Sequence, residues 1–346
     1  MSSIKDVARI AGVSTATVSR TLAEPEKVTE ETRRKVEEAI QRIGYVRNAL
    51  ARSFRMQRTQ TILVLLPDVG NPFYSLIIQG LEEVAQHHHY RLLIGDTQNQ
   101  AEREQQYLQA VRQRQVDGVI SLGHTLPDIP ELNGKHIPIV MACEYLHDAS
   151  VSSVSIDNIA AAETATEHLL SLGHRRIIFI NGPSHTPLSK DRLRGYRNAL
   201  KNAGVEYDPR LVRRGDFSLA SGEQVALEIF QEDLSFSAIF AANDTMAIGA
   251  IKVLRGRGLR IPDDVSVIGF DDIEFAQYVE PPLTTIHQPR REIGRATMKK
   301  MIAKLANKSE KVGQVILGHE LVLRSSTENF QKRSASSVAS AAENTA

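Results

Sequence analysis

Cysteine, tryptophan and long apolar runs are scarce or missing in this chain, and each shortage removes a class of protein. Of 346 residues one is cysteine, Cys143, and none is tryptophan. A single thiol cannot build an intramolecular disulfide framework, and no spacing of Cys and His matches a structural zinc site. A reducing compartment and no metal are expected, with Cys143 a small buried hydrophobe. No apolar signal region follows Met1, and no apolar run nears the roughly 18 residues a membrane span requires. The chain therefore reads as cytoplasmic, with no membrane partner. Catalytic signatures are missing too: there is no nucleophile elbow, phosphate-binding glycine loop or Ser/His/Asp spacing, so no catalytic residue, enzyme activity or cofactor is expected. His87, His88 and His89 are consecutive, and consecutive residues on a helix face different ways, which excludes their convergence on one ion.

What is present is an uneven distribution of charge. The formal net charge is +1, yet residues 1–60 hold 12 Lys and Arg against 7 Asp and Glu, leaving 30 against 34 for the remainder. A basic head on an acidic body favours nucleic acid at one end. With 42% hydrophobic residues, a chain of this length can bury the cores of two or three domains.

The head carries the sharpest local signal. In IKDVARIAGVSTATVSRTL, Ile4, Val7, Ala8 and Ala11 recur at helical spacing, and Gly12 supplies a turn where a side chain would crowd. Ser14 is placed to cap a second helix whose Val18 and Leu22 face inward. Val13 and Val18 then share a core while Thr15, Ala16, Thr17 and Arg20 face outward, the arrangement of a helix-turn-helix that presents four residues to a major groove. Any two short helices joined by glycine would give the same pattern. Thr29 is expected to cap a third helix ending at Gly44, with Tyr45 folding back onto it.

GVSTATVSR, the third helical pattern and YVRNALARSF together resemble the LacI/GalR family of DNA-binding regulators, a similarity that runs from about Ile4 to Thr327. The resemblance implies a homodimer on palindromic double-stranded operator DNA, controlled by a small-molecule effector. It assigns Ser14, Thr15, Ala16, Thr17 and Arg20 to the operator, with Arg20 suited to the acceptors of guanine. Residues 47–60 become a hinge in which Asn48 caps a short helix that forms only when docked. Asn48, Leu50, Ala51 and Phe54 are then counted among the DNA-binding residues, Leu50 meeting the partner's hinge helix and Phe54 acting as a wedge in the minor groove. The family usually has Leu at the wedge and Pro at Arg47, so both positions depart from its pattern.

From Thr61, short apolar runs alternate with helical stretches: TILVLLPD, YRLLIGD, GVISLG and IPIVMAC, then RRIIFING, AIFAAND and VSVIGFDD. This is a parallel α/β pattern in two rounds, hence two doubly wound lobes. Return segments near Val154 to Asn158 and Leu283 to Pro289 look like the hinge crossings of the type I periplasmic-binding fold. The fold class is thus an all-α helix-turn-helix headpiece plus an α/β two-lobed ligand domain. The expected divisions are 1–46 for the headpiece, 47–60 for the hinge, 61–327 for the effector-binding and dimerisation domain, and 328–346 for a disordered tail. That tail has no leucine heptads, which points to a dimer rather than a tetramer.

Ligands of doubly wound sheets bind beyond the carboxyl ends of strands. Asp68, Asn71, Phe73, Tyr74, Glu144, Arg192, Phe217, Asn243 and Asp271 all lie in or near such loops. Arg192, Asn243 and Asp271 match the family's sugar-binding places, where a carboxylate accepts from paired hydroxyls while Arg and Asn donate. Phe73 and Phe217 could cover a flat base or sugar face. The competing expectation is that Asn243 and Asp271 cap the following helices and that the phenylalanines are core. PLSKDRLRGY, GDFSLASG, IGFDDI and PPLTTIHQPRREIGR resemble the family's cytidine-repressor branch, which makes a nucleoside, cytidine first, the expected effector. Nothing in the residues sets the sign of the response; the resemblance implies an inducer. A DNA-bound activator protein is a further candidate partner.

Overall fold

The computed structural model describes residues 3–45, 58–124, 137–145, 151–232, 234–307 and 312–330. The chain divides into two compact units, Met1–Thr59 and Gln60–Ala346. The expected hinge positions Asn48, Leu50, Ala51 and Phe54, and Arg47 with them, lie outside the described residues.

The first unit is built from three helices whose ends are fixed by local chemistry. Helix α1 (Ile4–Ala11) starts at Ser3, whose side chain accepts from Asp6 N while the Asp6 side chain accepts from Ser3 N. This reciprocal box satisfies two amides that the helix itself cannot. It ends at Gly12, whose φ of 67° is left-handed and costs a glycine nothing. Helix α2 (Thr15–Ala23) is capped by Ser14 and α3 (Glu30–Ile43) by Thr29, with one 3-10 turn, Pro25–Lys27, between them. Val7, Ala8, Ala11, Val18, Val36 and Ala39 form the buried core, and Val13, Leu22, Ile40 and Tyr45 pack against it.

The second unit holds two lobes. The first contains β1 (Thr61–Leu66), α4 (Phe73–His87), β2 (Arg91–Asp96), α5 (Ala101–Arg112), β3 (Gly118–Ser121), β4 (Ile139–Ala142) and β5 (Ser152–Ile156). The chain then crosses to the second lobe: α6 (Asn158–Ser171), β6 (Ile177–Asn181), α7 (Pro187–Asn202), β7 (Val212–Arg214), α8 (Leu219–Gln231), β8 (Ala238–Ala241), α9 (Asp244–Gly256), β9 (Ser266–Asp271) and β10 (Thr284–His287). It returns in α10 (Arg290–Ala306), adds β11 (Gln314–Leu317) to the first sheet, and crosses again to end in β12 (Glu320–Val322). The strand orders are β11-β5-β4-β3-β1-β2 and β12-β10-β9-β8-β6-β7, parallel throughout except for β12 against β10. In each sheet the order reverses at the first strand, leaving a crevice above its carboxyl end. TILVLL and IIFIN are almost wholly buried, as strands covered by helices on both faces must be.

Two features go beyond the sequence pattern. The lobes are joined by three crossings rather than two, the third at Gly318 and His319 between β11 and β12. Helices α4 and α10 also cross through reciprocal glycines: a Cβ on Gly80 would lie 2.1 Å from Arg291 O, and one on Gly294 would lie 2.1 Å from Ile77 O. The expected disordered tail needs correction at its start. Glu328 N donates to Ser266 Oγ at 3.1 Å, Phe330 N donates to Leu172 O at 2.8 Å, and the Phe330 ring lies 5.6 Å from that of His174. Backbone pairing and a ring on His174 hold these residues where composition alone gave no core to hold them. Residues 331–346 are outside the described set. Among the described residues no helix is long and apolar enough to cross a membrane.

Candidate functional site

On the first unit, the start of α2 sets the outward face. Ser14 Oγ accepts from Thr17 N at 3.0 Å and lies 2.9 Å from Thr17 Oγ1, so these two side chains fasten the helix end to themselves. Thr15, Ala16 and Arg20 are exposed, and Thr17 is only half so. Thr15, Ala16 and Arg20 line a shallow depression with Ile4, Ser19, Ala23 and Glu24, and Thr17 lies outside it. Elsewhere on this unit Arg9 pairs with Asp6 and Lys35 with Glu31, whereas Arg20 has no ion pair among the described residues. An exposed guanidinium beside a methyl and a hydroxyl group can meet base edges, while Ser14 and Thr17 hold the helix that carries them.

In the second unit a cavity of about 580 Å³ lies between the lobes. Every body residue singled out from the sequence lines it: Asp68, Asn71, Phe73, Tyr74, Glu144, Arg192, Phe217, Asn243 and Asp271. Its floor is ionic. Arg192, carried on α7 and 4% exposed, donates from Nε to Asn158 Oδ1 at 2.9 Å and from Nη1 to Ala242 O. Its guanidinium carbon stands 3.7 Å over the Phe270 ring, and Nη2 is 4.0 Å from Asp271 Oδ1. Burial lowers the pKa of this arginine, and the facing Asp271 and Glu144 oppose the shift. Asp271, at the end of β9 with φ of 110°, accepts from Gln288 Nε2 at 2.7 Å. Burial pushes its carboxyl up to about 6, against the pull of Arg192.

Glu144, just past β4, is 4% exposed, and its Oε2 has no hydrogen-bond partner. Burial pushes it up to about 8, again against Arg192. An orphaned carboxyl oxygen in a cavity wall invites a donor from a ligand.

Asn243 does what the competing expectation held, capping α9 by accepting from Met246 N at 2.9 Å. It also donates to Phe217 O at 2.9 Å, leaving one amide hydrogen and one lone pair for the cavity. Asp271 caps no helix. Phe217 has φ of 72°, and its ring lies across Gly182, where a Cβ would meet Cζ at 2.0 Å. Phe73 begins α4, buried and edge-on to Tyr74 at 5.2 Å. Asp68 lies at the exposed rim, accepting from Gly70 N at 2.8 Å.

Several lining residues escaped the sequence reading: Gln98, His124, His185, Arg214, Asp216 and Gln288. All but Gln288 lie at or just beyond strand ends, so the strand-end rule could have found them; Gln288 sits on a crossing already recognised as a hinge. Tyr145, which donates its hydroxyl to Asp191 from the other lobe, carried no sequence signal. Asp244 is buried beneath Asp271, accepting from Thr285 Oγ1 at 2.6 Å and Ile273 N at 2.8 Å. Burial and the nearby Asp271 raise its pKa well above the ordinary value.

Comparison with known proteins gives the same two parts. The family of bacterial regulatory proteins, lacI family, matches residues 3–48, and the periplasmic binding protein-like domain matches residues 166–327. The HTH-type transcriptional repressor CytR of Escherichia coli (strain K12) is 39% identical over 326 residues, covering 94% of this chain and 96% of that one. The ribose operon repressor of Haemophilus influenzae (strain Rd) is 32% identical over 94% of this chain and 98% of its own. The lac repressor dimer bound to operator and the anti-inducer ONPF superposes with a TM-score of 0.83 at 26% identity, covering 94% and 99% of the two chains.

Proposed function

The chain belongs to the lacI family as a DNA-binding transcriptional repressor with a ligand-binding domain, and from that premise we propose that its effector is a nucleoside, cytidine first, acting as inducer. The observation that carries this reading is the composition of one cavity: Arg192, Asp271 and Asn243 at its floor, Phe73 and Phe217 on its walls. The polar set suits a ribose whose hydroxyls both donate and accept, and the rings suit a flat base. Glu144, with a carboxyl oxygen that has no partner, adds a group that accepts from an exocyclic amine when ionised and donates to a base carbonyl or ring nitrogen while it holds its proton. The likeness to CytR along 94% of the chain supports the choice within the family. A sugar is the second reading, favoured by the likeness to the ribose operon repressor.

In this reading residues 1–46 read a palindromic operator, 47–60 fold as the hinge on DNA, and 61–327 bind effector and join two copies. Thr15, Ala16 and Arg20 meet bases, while Asn48, Leu50, Ala51 and Phe54 serve the hinge. Effector closes the lobes, moves the dimer contact of the first lobe and changes how readily the paired hinge helices form. Operator titrations with and without a DNA-bound activator decide whether that partner is needed. Calorimetry of the full chain against cytidine, purine bases and ribose tests the ligand. Asp271→Ala is expected to lose cytidine binding; unchanged affinity would remove Asp271 from the site, and no cytidine heat with a clear ribose signal would favour the second reading.

A further inference from the structure

His124 and His185 face each other across the mouth of the cleft, one from each lobe. His124 follows β3, and His185 stands between β6 and α7. Their Nε2 atoms are 3.1 Å apart, with ring centroids 4.7 Å apart and planes at 67°. A collinear N–H···N bond of that length would hold the centroids roughly 5.4 Å apart, so the rings bend toward a shared point. An ion about 2.1 Å from both nitrogens, as zinc requires, would place the centroids roughly 4.8 Å apart. The observed pair is within hydrogen-bond distance, and the bend of its rings is that of the second geometry.

We propose that His124 and His185 form a divalent transition-metal site, with zinc as its representative ion, that clasps the two lobes at the cleft mouth. The donor chemistry is suitable, because neutral imidazole is the commonest nitrogen ligand of such ions. His185 is exposed and His124 half-buried, so an ion reaches them from solvent. Among the described residues no group of three His, Cys, Asp or Glu is placed to hold a metal, so water or a donor of the effector completes the coordination.

The two ligands meet only while the lobes are together, an arrangement that the Tyr145 to Asp191 hydrogen bond also spans. Ion binding therefore favours the closed form, and by linkage any effector that favours closure tightens the ion.

The test uses the full chain, stripped of metal and free of effector, titrated with zinc chloride. One ion per chain is expected, with affinity falling at least tenfold in His185→Ala and in His124→Ala while both variants keep the wild-type circular dichroism. Absence of zinc heat in the wild type overturns the site, as does heat that survives in both variants, which would place the ion elsewhere. Alkylation of Cys143 by N-ethylmaleimide reads closure separately, since that buried thiol lines the cleft. Zinc is expected to slow it in the wild type and not in His185→Ala. Slowing that persists in the variant, or none in the wild type, overturns the clasp.

Discussion

Glu144 keeps one buried carboxyl oxygen without a partner, and the burial of its carboxyl, with that of Asp271, makes stability depend on pH. Its carboxyl and that of Asp271 are pushed up to about 8 and about 6 from ordinary values of 4.5 and 3.8. The folded chain thus holds protons that the unfolded chain releases. This contribution is complete below the ordinary values and is lost as pH rises through about 6 and then about 8. Thermal melts of the effector-free protein are expected to shift downward between about pH 4 and about pH 8, with no further shift from these groups above that, and Glu144→Gln, neutral throughout, to remove the part above about pH 6. At the other end of the chain, Arg20→Ala should cost on the order of 1–3 kcal/mol of operator binding and relax discrimination at one base pair. A gel-shift series on operator variants measures it; equal loss on every variant would assign Arg20 to phosphate. Single residues were legible where a motif or a strand end marked them, as with Arg192, Asn243 and Asp271. His124 with His185 and Tyr145 with Asp191 were not, because each pair depends on which loops meet across a cleft, and no spacing along the chain records that.

At the scale of elements, caps and glycines carried most of the information. Ser14, Thr29, Gly12 and Gly44 act where their chemistry placed them. The fully buried strands were equally plain, since a run such as TILVLL has one comfortable setting. Strands β11 and β12 were not recognised: they are four and three residues long, half exposed at sheet edges, and too short to show a period. With them went the third crossing. The contact of α4 with α10 is also a property of two elements at once. Gly294→Ala would drive a Cβ to within 2.1 Å of Ile77 O, and backbone cannot step aside as a side chain can. A loss of roughly 1–3 kcal/mol is expected from such overpacking, read as a lower midpoint in urea with an unchanged slope. An unaltered midpoint would show that the helices separate freely.

Across the whole molecule, charge and connectivity divide the labour. The basic first 60 residues supply an attraction for DNA that salt weakens, and the acidic remainder keeps the rest of the chain off it. In the proposed mechanism effector and operator oppose one another, so the factor by which cytidine weakens operator binding must equal the factor by which operator weakens cytidine binding. Fluorescence titrations in both directions check that equality; two unequal factors would exclude a single linked equilibrium.

The three crossings have a mechanical consequence. The first leaves β5 for α6, the second leaves β10 for α10, and the third joins β11 to β12; β5 and β11 are neighbours at one edge of the first sheet, β10 and β12 at one edge of the second. A spine stitched three times along one margin lets two covers swing but not slide, so the lobes retain one soft rotation. Small angular changes at that margin become large displacements at the opposite lip, and a molecule lodged there gains leverage that one near the spine lacks.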